Sequence, residues 1–238
     1  MNDHGRRTAC ALLLSLWETR GALALWPLAV VARQVLRGAG LAVRSRDRRL
    51  LEDRILAYYA ALPGPLEILS VGVRAYTAHY ERLLHGHRYR TIDIDPRAAR
   101  FGSSQGHVVD SVAAAGRHFA AGSFDLVLLN GVIGWGLNDR AEAEDALTAL
   151  HGVLRDGGVL IVGWNDIALR RPFAPRQLQA LRVFRRYRLP PLAAEVVETG
   201  SLNRHRFEFF VKPGAAVDRR PTPGYNPVLV GAPPVHRP

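Results

Sequence analysis

The sequence has almost no cysteine and almost no lysine. Cys10 is the only cysteine and Lys212 the only lysine among 238 residues. A single cysteine excludes an internal disulfide framework and suits a reducing compartment, so we predict a cytoplasmic protein. The net charge of +11 is almost entirely arginine, which is typical of a GC-biased bacterial genome. The charge is therefore either functional or compositional, and without a base-reading motif we do not expect nucleic acid as a partner.

Long hydrophobic runs are also missing. Thr8 to Trp17 and Gly21 to Ala32 are apolar, but charged residues separate them and Pro27 interrupts the second run. Neither reaches the roughly 18 to 20 residues that a membrane-spanning helix needs. We predict that residues 1–50 form an apolar and basic helical extension. Three interpretations of it stay open: peripheral contact of residues 9–37 with the inner membrane surface, a helical cap over a site, and a secretory signal.

The glycine-rich loop of a dinucleotide site is missing as well. An apolar run from Glu67 ends at Gly72, and a second run, Thr91 to Pro96, ends in acids, as in the first half of a nucleotide-binding βαβ unit. Arg74 and Tyr76, however, stand where the second and third glycines would be. Such a loop does not suit a pyrophosphate at a helix N-terminus.

From residue 51 to 212 short apolar runs alternate with helical patterns, which predicts an α/β domain with a mostly parallel sheet. The clearest helix is Asp139–Leu154, which Gly157 and Gly158 follow as a stop signal. The last two strands are separated by a four-residue linker and are predicted to form an antiparallel hairpin. Residues 213–238 are rich in proline and glycine and are predicted to be a tail. The predicted strands are Leu66–Val71, Tyr89–Ile94, His107–Val109, Phe124–Leu129, Val159–Trp164, Ala193–Glu198 and Arg204–Val211.

Several short motifs occur along this domain in a fixed order: Ile68–Gly72, Ile92–Pro96, Val108–Ser111, Ser123–Gly131 and Leu154–Val162. The series resembles the successive motifs of class I S-adenosylmethionine-dependent methyltransferases over residues 50–212. The resemblance implies a Rossmann-like seven-stranded sheet with an antiparallel final hairpin and helices on both faces. It also implies S-adenosylmethionine as the cofactor.

The resemblance assigns cofactor contacts to matching positions. Gly72 would let the backbone approach the cofactor, and Asp93 would bind the ribose hydroxyls. Asp110 would face the adenine amino group, and Asn130 the methionine part. Each has a structural alternative in a turn or a helix cap, and Asp95 is predicted to cap the helix that starts at Pro96.

Two positions depart from the family pattern. Ser70 replaces an acid that would help to hold the cofactor's ammonium group, and Arg74 is a bulky cation that would instead pair with the cofactor's carboxylate. Two alternative functions therefore stay open. One is a noncatalytic Rossmann-like binding module, that is, a degenerate methyltransferase, and the other is a nucleotide-dependent oxidoreductase.

Aromatic and titratable residues suggest an acceptor site. Tyr76, Trp135 and Trp164 are predicted to contact substrate, since loops after strand ends line the crevice of an open parallel sheet. An oxygen acceptor needs a base, for which His79 and Asp166 are the first candidates. His118 and His205 are further candidates, and the sequence does not rank the four. We predict a methyltransferase that acts on a small molecule or a glycan precursor by direct in-line transfer.

Two further groups are predicted to be peripheral. His85 and His87 lack the spacing of a helical metal site and are predicted to be solvated, and no metal is expected elsewhere. A basic cluster follows the fifth strand and is predicted to share a helix, on which its members would form either a solvated face or an anion contact. The cluster consists of Arg170, Arg171, Arg176, Arg182, Arg185, Arg186 and Arg188.

Overall fold

A mixed β-sheet of eight strands is the centre of the protein, as seen in a computed structural model that describes residues 44–201 and 203–214. The strand order is β3-β2-β1-β4-β5-β8-β6, and β7 also pairs with β8. The strands are β1 (Glu67–Val71), β2 (Arg88–Asp93), β3 (His107–Val109), β4 (Phe124–Asn130), β5 (Leu154–Asn165), β6 (Arg185–Arg186), β7 (Val196–Glu198) and β8 (His205–Val211).

Helix α1 (46–60) precedes the sheet and has a π-helical middle. It consists of the segments Arg46–Leu50, Leu51–Leu56 and Ala57–Ala60, of which the second is π-helical. It runs across residue 51, where the sequence predicts the domain to begin. The remaining helices are α2 (Tyr80–Leu83), α3 (Ala115–His118) and α4 (Arg140–Val153), with 3-10 turns at Pro96–Phe101, Val112–Ala114, Ala168–Arg170, Pro175–Gln177 and Gln179–Val183.

The hydrophobic core has two halves, one on each face of the sheet. Side chains alternate along a strand, so Leu126 and Leu128 of β4 pack towards α1 while Val127 and Leu129 pack towards α4. All four are at most 2% exposed. The apolar run Leu126–Leu129 of β4 is therefore explained by burial on both faces, as expected for a central parallel strand.

The predicted sheet is confirmed, with one difference in its strand count. Strands β1 to β5 pair in parallel, and β8 pairs antiparallel with both β5 and β7. The predicted final hairpin is β7 and β8. The eighth strand arises because β6 and β7 share the outer side of β8, where β6 pairs with residues 210–211 and β7 with residues 206–208.

Two sequence predictions are wrong here. The segment after β5 is not one helix but three 3-10 turns, because Pro172 and Pro175 lack the N–H that a continuous helix needs. The arginines of this segment therefore do not share a helical face. His87 is not solvated but buried, with Nε2 2.8 Å from the carbonyl oxygen of Tyr59.

The predicted membrane contact, residues 9–37, lies outside the described residues, as does most of the predicted tail. Within the part of the chain that the structure describes, no helix has the length and apolarity to cross a bilayer. The limits of the extension and the tail stay predictions.

Candidate functional site

A cavity of about 620 Å³ opens at the carboxyl ends of β1, β2 and β4. Parallel strands end at one edge of the sheet, and the turns that follow them form a crevice there. Helix α1 and the start of β8 supply further walls, through Leu51 and His205 among others. The predicted site residues Gly72, Asp93 and Asn130 are thereby brought together, because each ends a strand or directly follows one.

The first turn approaches the turn after β4 closely. Gly72 has a φ of +81°, and a Cβ added there would lie 3.1 Å from Cγ2 of Val132. A side chain is disfavoured by both the backbone angle and the contact. Gly72 therefore keeps the cavity floor open between the two turns.

Asp93 fastens the first turn to the end of β2. Its Oδ2 accepts hydrogen bonds from the backbone N–H of Val73 (2.8 Å) and from Nη1 of Arg74 (3.0 Å). Its Oδ1 accepts from the N–H of Asp95 (2.8 Å). A carboxylate has about four acceptor positions, so this buried group retains one.

Arg74 lies in the cavity and covers part of Asp93. Its Nη1 also donates to the carbonyl oxygen of Val73, and half of the side chain remains exposed, 51%. The unusual cation of the first loop therefore occupies a defined place beside the acid.

Asp110 and His118 form a pair after β3. Nε2 of His118 lies 2.7 Å from Oδ2 of Asp110, while Oδ1 accepts from the N–H of Ser111. The hydrogen bond to His118 lowers the pKa of the Asp110 carboxyl below its ordinary value. Asp110 lines the cavity, whereas His118 does not.

The opposite end of the cavity has a buried histidine. Nε2 of His205 lies 3.0 Å from Oδ1 of Asn130, and this contact passes over Gly163, where an added Cβ would lie 1.9 Å from Oδ1 and 2.9 Å from Nε2. Burial lowers the pKa of His205, which keeps the ring neutral at neutral pH. With Nε2 donating to Asn130, Nδ1 is the nitrogen that retains a lone pair.

Trp135 forms a wall of the same end. Its Nε1 donates to Oδ1 of Asn165 (3.0 Å), and the guanidinium of Arg170 lies 3.6 Å from the ring centroid. Asn165 was not among the residues named from the sequence, although it ends β5 between Trp164 and Asp166, which were named. The indole is half exposed, so the predicted substrate residue Trp135 does border the cavity.

Helix α1 contacts Tyr76, a second predicted substrate residue. The guanidinium of Arg48 lies 4.1 Å from the ring centroid of Tyr76, and Nη1 donates to its carbonyl oxygen (3.1 Å). Both residues line the cavity. The start of α1 therefore forms part of the cavity mouth.

Three sequence predictions are corrected here, since none of the three residues lines the cavity. Trp164 points to the opposite face of β5 from Asn165, is buried in the core and donates to Glu208, so it cannot contact a substrate in the cavity. The two first candidate bases contact other charged side chains outside the cavity. Nε2 of His79 lies 3.3 Å from Oε1 of Glu52, and Asp166 is bound by Arg171 and Arg206.

The cavity fits a nucleoside cofactor in three respects. Its first turn exposes backbone at Gly72, the buried Asp93 retains an acceptor position, and its volume falls in the range of small-molecule sites. The residues named for S-adenosylmethionine from the sequence, Gly72, Arg74, Asp93, Asp110 and Asn130, all line it.

Residues 69–162 match a protein-family model described as a methyltransferase domain. Similar solved structures include the N-methyltransferase NodS from Bradyrhizobium japonicum WM9, which is 20% identical with a TM-score of 0.53 over 71% of this chain and 96% of that chain. The complex of NodS with S-adenosylhomocysteine has a TM-score of 0.55, over 70% and 88% of the two chains, at 20% identity. A TehB-like SAM-dependent methyltransferase from Corynebacterium glutamicum is 18% identical, with a TM-score of 0.50 over 79% and 98%.

At these identities the likeness to solved structures concerns the fold, whereas the domain match concerns the sequence of β1 to β5 and the turns between them. Among curated proteins, no sequence is similar enough to count as a relative. Domain match, sheet order and the cavity at the strand ends agree with one another. Residues 69–162 therefore carry the sequence of a methyltransferase domain, and the sheet around them has the fold of solved S-adenosylmethionine-dependent methyltransferases.

Proposed function

We propose that the protein transfers the methyl group of S-adenosylmethionine to a small molecule or a glycan precursor. The observation that carries this proposal is one continuous cavity, with Asp93 and Gly72 at one end and His205 and Trp135 at the other. A cavity of about 620 Å³ suits a cofactor and a small acceptor side by side better than a macromolecular surface.

The cofactor, when bound, supplies an already activated methyl donor, so the protein has mainly to align the acceptor and exclude water. We assign the ribose to Asp93, the adenine to the Asp110 end, and the methionine part to Arg74 and Asn130. Helix α1 forms part of the mouth through Arg48, which contacts Tyr76, and this narrows the access of water.

We assign the acceptor to the end formed by His205, Asn165 and Trp135. Among the four candidate bases, His205 is the one that lines the cavity. Its neutral ring, with Nε2 held by Asn130, has Nδ1 free to accept the proton of an oxygen or nitrogen acceptor. Asn130 thus positions the base, and Gly163 leaves the room for their hydrogen bond.

Calorimetric titration tests the cofactor site. We expect S-adenosylhomocysteine to bind the intact protein and Asp93→Ala to weaken binding by roughly 10- to 100-fold, because charged hydrogen bonds are worth about 1.5 to 3 kcal/mol each. Asp125→Ala is the matched control, since Asp125 also accepts from a backbone N–H, that of Glu67, but lies at the other end of the sheet. Absence of S-adenosylhomocysteine binding, or tight binding of NAD in its place, would contradict the proposal.

A labelling experiment tests the acceptor class. The protein is incubated with methyl-labelled S-adenosylmethionine and a cell extract, which is then divided by ultrafiltration. We expect label in the filtrate, where small molecules and short glycan precursors collect. Label confined to retained protein or nucleic acid would overturn the proposed acceptor class while leaving the cofactor site intact.

A further inference from the structure

Arg74 occupies an acceptor position of Asp93 that the hydroxyl groups of a bound ribose would need. We propose that Arg74 makes the site selective for nucleosides that carry a carboxylate, because it exchanges its ion pair with Asp93 for one with the methionine carboxylate of the cofactor. The inference rests on the cofactor site of the proposed function and concerns which ligands that site accepts.

The first step is the occupancy of Asp93. Two backbone N–H groups, from Val73 and Asp95, bind the carboxylate and belong to the turns themselves. Arg74 takes a third acceptor position at 3.0 Å. A ribose that binds through two hydroxyl groups therefore has to displace Arg74, while the two backbone contacts can stay.

The second step is the release of Arg74. Half of its side chain is exposed, so breaking the ion pair costs little, about one- to fivefold in affinity. Once released from Asp93, the guanidinium needs another anion. The other arginine that lines the cavity, Arg48, is held against Tyr76.

The third step is the source of that anion. The further acids lining the cavity are Asp47 on α1, Asp110, which binds His118, and Glu142 and Asp145 on α4. Among the described residues, Arg74 forms its ion pair with Asp93 and with none of these four. A cofactor carboxylate offers the planar pair of oxygens that a guanidinium binds with two parallel hydrogen bonds. A nucleoside without a carboxylate displaces Arg74 and offers nothing in exchange.

The experiment compares S-adenosylhomocysteine with 5′-methylthioadenosine, which shares its adenine, ribose and thioether but has no amino-acid part. Calorimetry with Arg74→Ala should give opposite changes for the two ligands. S-adenosylhomocysteine should bind roughly 10- to 100-fold more weakly, through loss of a charged hydrogen-bond pair. 5′-Methylthioadenosine should bind about two- to fivefold more tightly, because no ion pair has to be broken.

Further variants make the result specific. Arg97→Ala removes an arginine that pairs with Asp95 near the site but does not line the cavity, and both affinities should stay unchanged. Arg74→Lys keeps the charge and should retain most of the preference for the carboxylate. Arg74→Gln should behave as Arg74→Ala does, and it provides the test if the alanine variant does not fold.

Two outcomes would overturn the inference while the proposed function stands. If Arg74→Ala weakens both ligands alike, Arg74 only supports the turn. If it tightens both alike, Arg74 only blocks the site. Failure of the intact protein to bind S-adenosylhomocysteine is a separate result, which would contradict the proposed function itself.

Discussion

Gly163 shows how one residue without a side chain can determine the chemistry of its neighbours. It is paired with Asn130 on β4 and with Phe207 on β8, so it lies on β5 between the two side chains that bind each other. A methyl group here would overlap Asn130 and approach His205. The lone glycine of the apolar end of β5 is therefore required by the site as well as by the sheet.

We expect Gly163→Ala to destabilise the protein by about 1 to 3 kcal/mol, the usual cost of overpacking a filled interior. Urea unfolding measures the change, and the NMR signal of the His205 ring reports whether its bond to Asn130 is lost. Gly152→Ala is the control, since an added Cβ there meets nothing within 4 Å and the residue is in α4. The control should be stabilised by about 0.5 to 1 kcal/mol, and equal behaviour of the two variants would contradict the prediction.

Individual residues were predictable from the sequence where their role is local. Asp95 is confirmed as a cap, since its Oδ1 accepts from the N–H of Arg97 (3.0 Å) at the start of the helix Pro96–Phe101. His205 could not be ranked among the candidate bases, because its place in the cavity depends on the antiparallel pairing of β8 with β5. That pairing puts His205 opposite Asn165, 40 residues away in sequence.

At the scale of elements, strand alternation explains the correction for Trp164. An apolar run predicts a strand but does not predict which side chains point to which face of the sheet. In β5 the side chains of both faces are buried. Its apolar pattern therefore does not show which side holds the cavity. The helix predicted after β5 is absent for a different reason. The spacing of the arginines suggested a helical face, but prolines interrupt the segment.

The two-residue strand β6 is attached through Arg186. Glu208 of β8 is buried and accepts from Nε1 of Trp164 (2.9 Å) and Nη1 of Arg186 (2.6 Å). We expect Arg186→Ala to cost about 1 to 3 kcal/mol in the free energy of unfolding, because a buried carboxylate loses its charged partner.

Arg185→Ala is the matched control for this strand. Arg185 is the neighbouring residue and is exposed on the opposite face, so its removal should change stability by less than about 0.5 kcal/mol. Chemical denaturation of both variants measures the loss of stability that each substitution causes. Equal losses would mean that the ion pair with Glu208 does not hold β6.

For the whole molecule, the buried His205 predicts a dependence of stability on pH. Its pKa is lowered by burial in the folded protein, against a partial opposing effect of Asp47, while the unfolded value is about 6.5. The unfolded chain then binds the proton more readily. The contribution of His205 is fully present above about pH 6.5 and is lost as the pH falls towards the lower folded pKa.

His205→Gln should remove this contribution. Urea unfolding between neutral and acidic pH should show a smaller loss of stability below about pH 6.5 for the variant than for the intact protein. His85→Gln is the control, because His85 is an exposed histidine on the surface, and its curve should follow that of the intact protein. Parallel curves for all three proteins would contradict the assignment of a buried neutral His205.

The split outer side of β8 has a consequence for the behaviour of the protein in concentrated solution. One edge of the described sheet is β3, with three residues, and the other is divided between β6 and β7, with two and three. A foreign strand therefore meets no long row of unpaired backbone groups at either edge. The short edge strands therefore disfavour the pairing of sheets from different molecules, which is the first step towards fibrils.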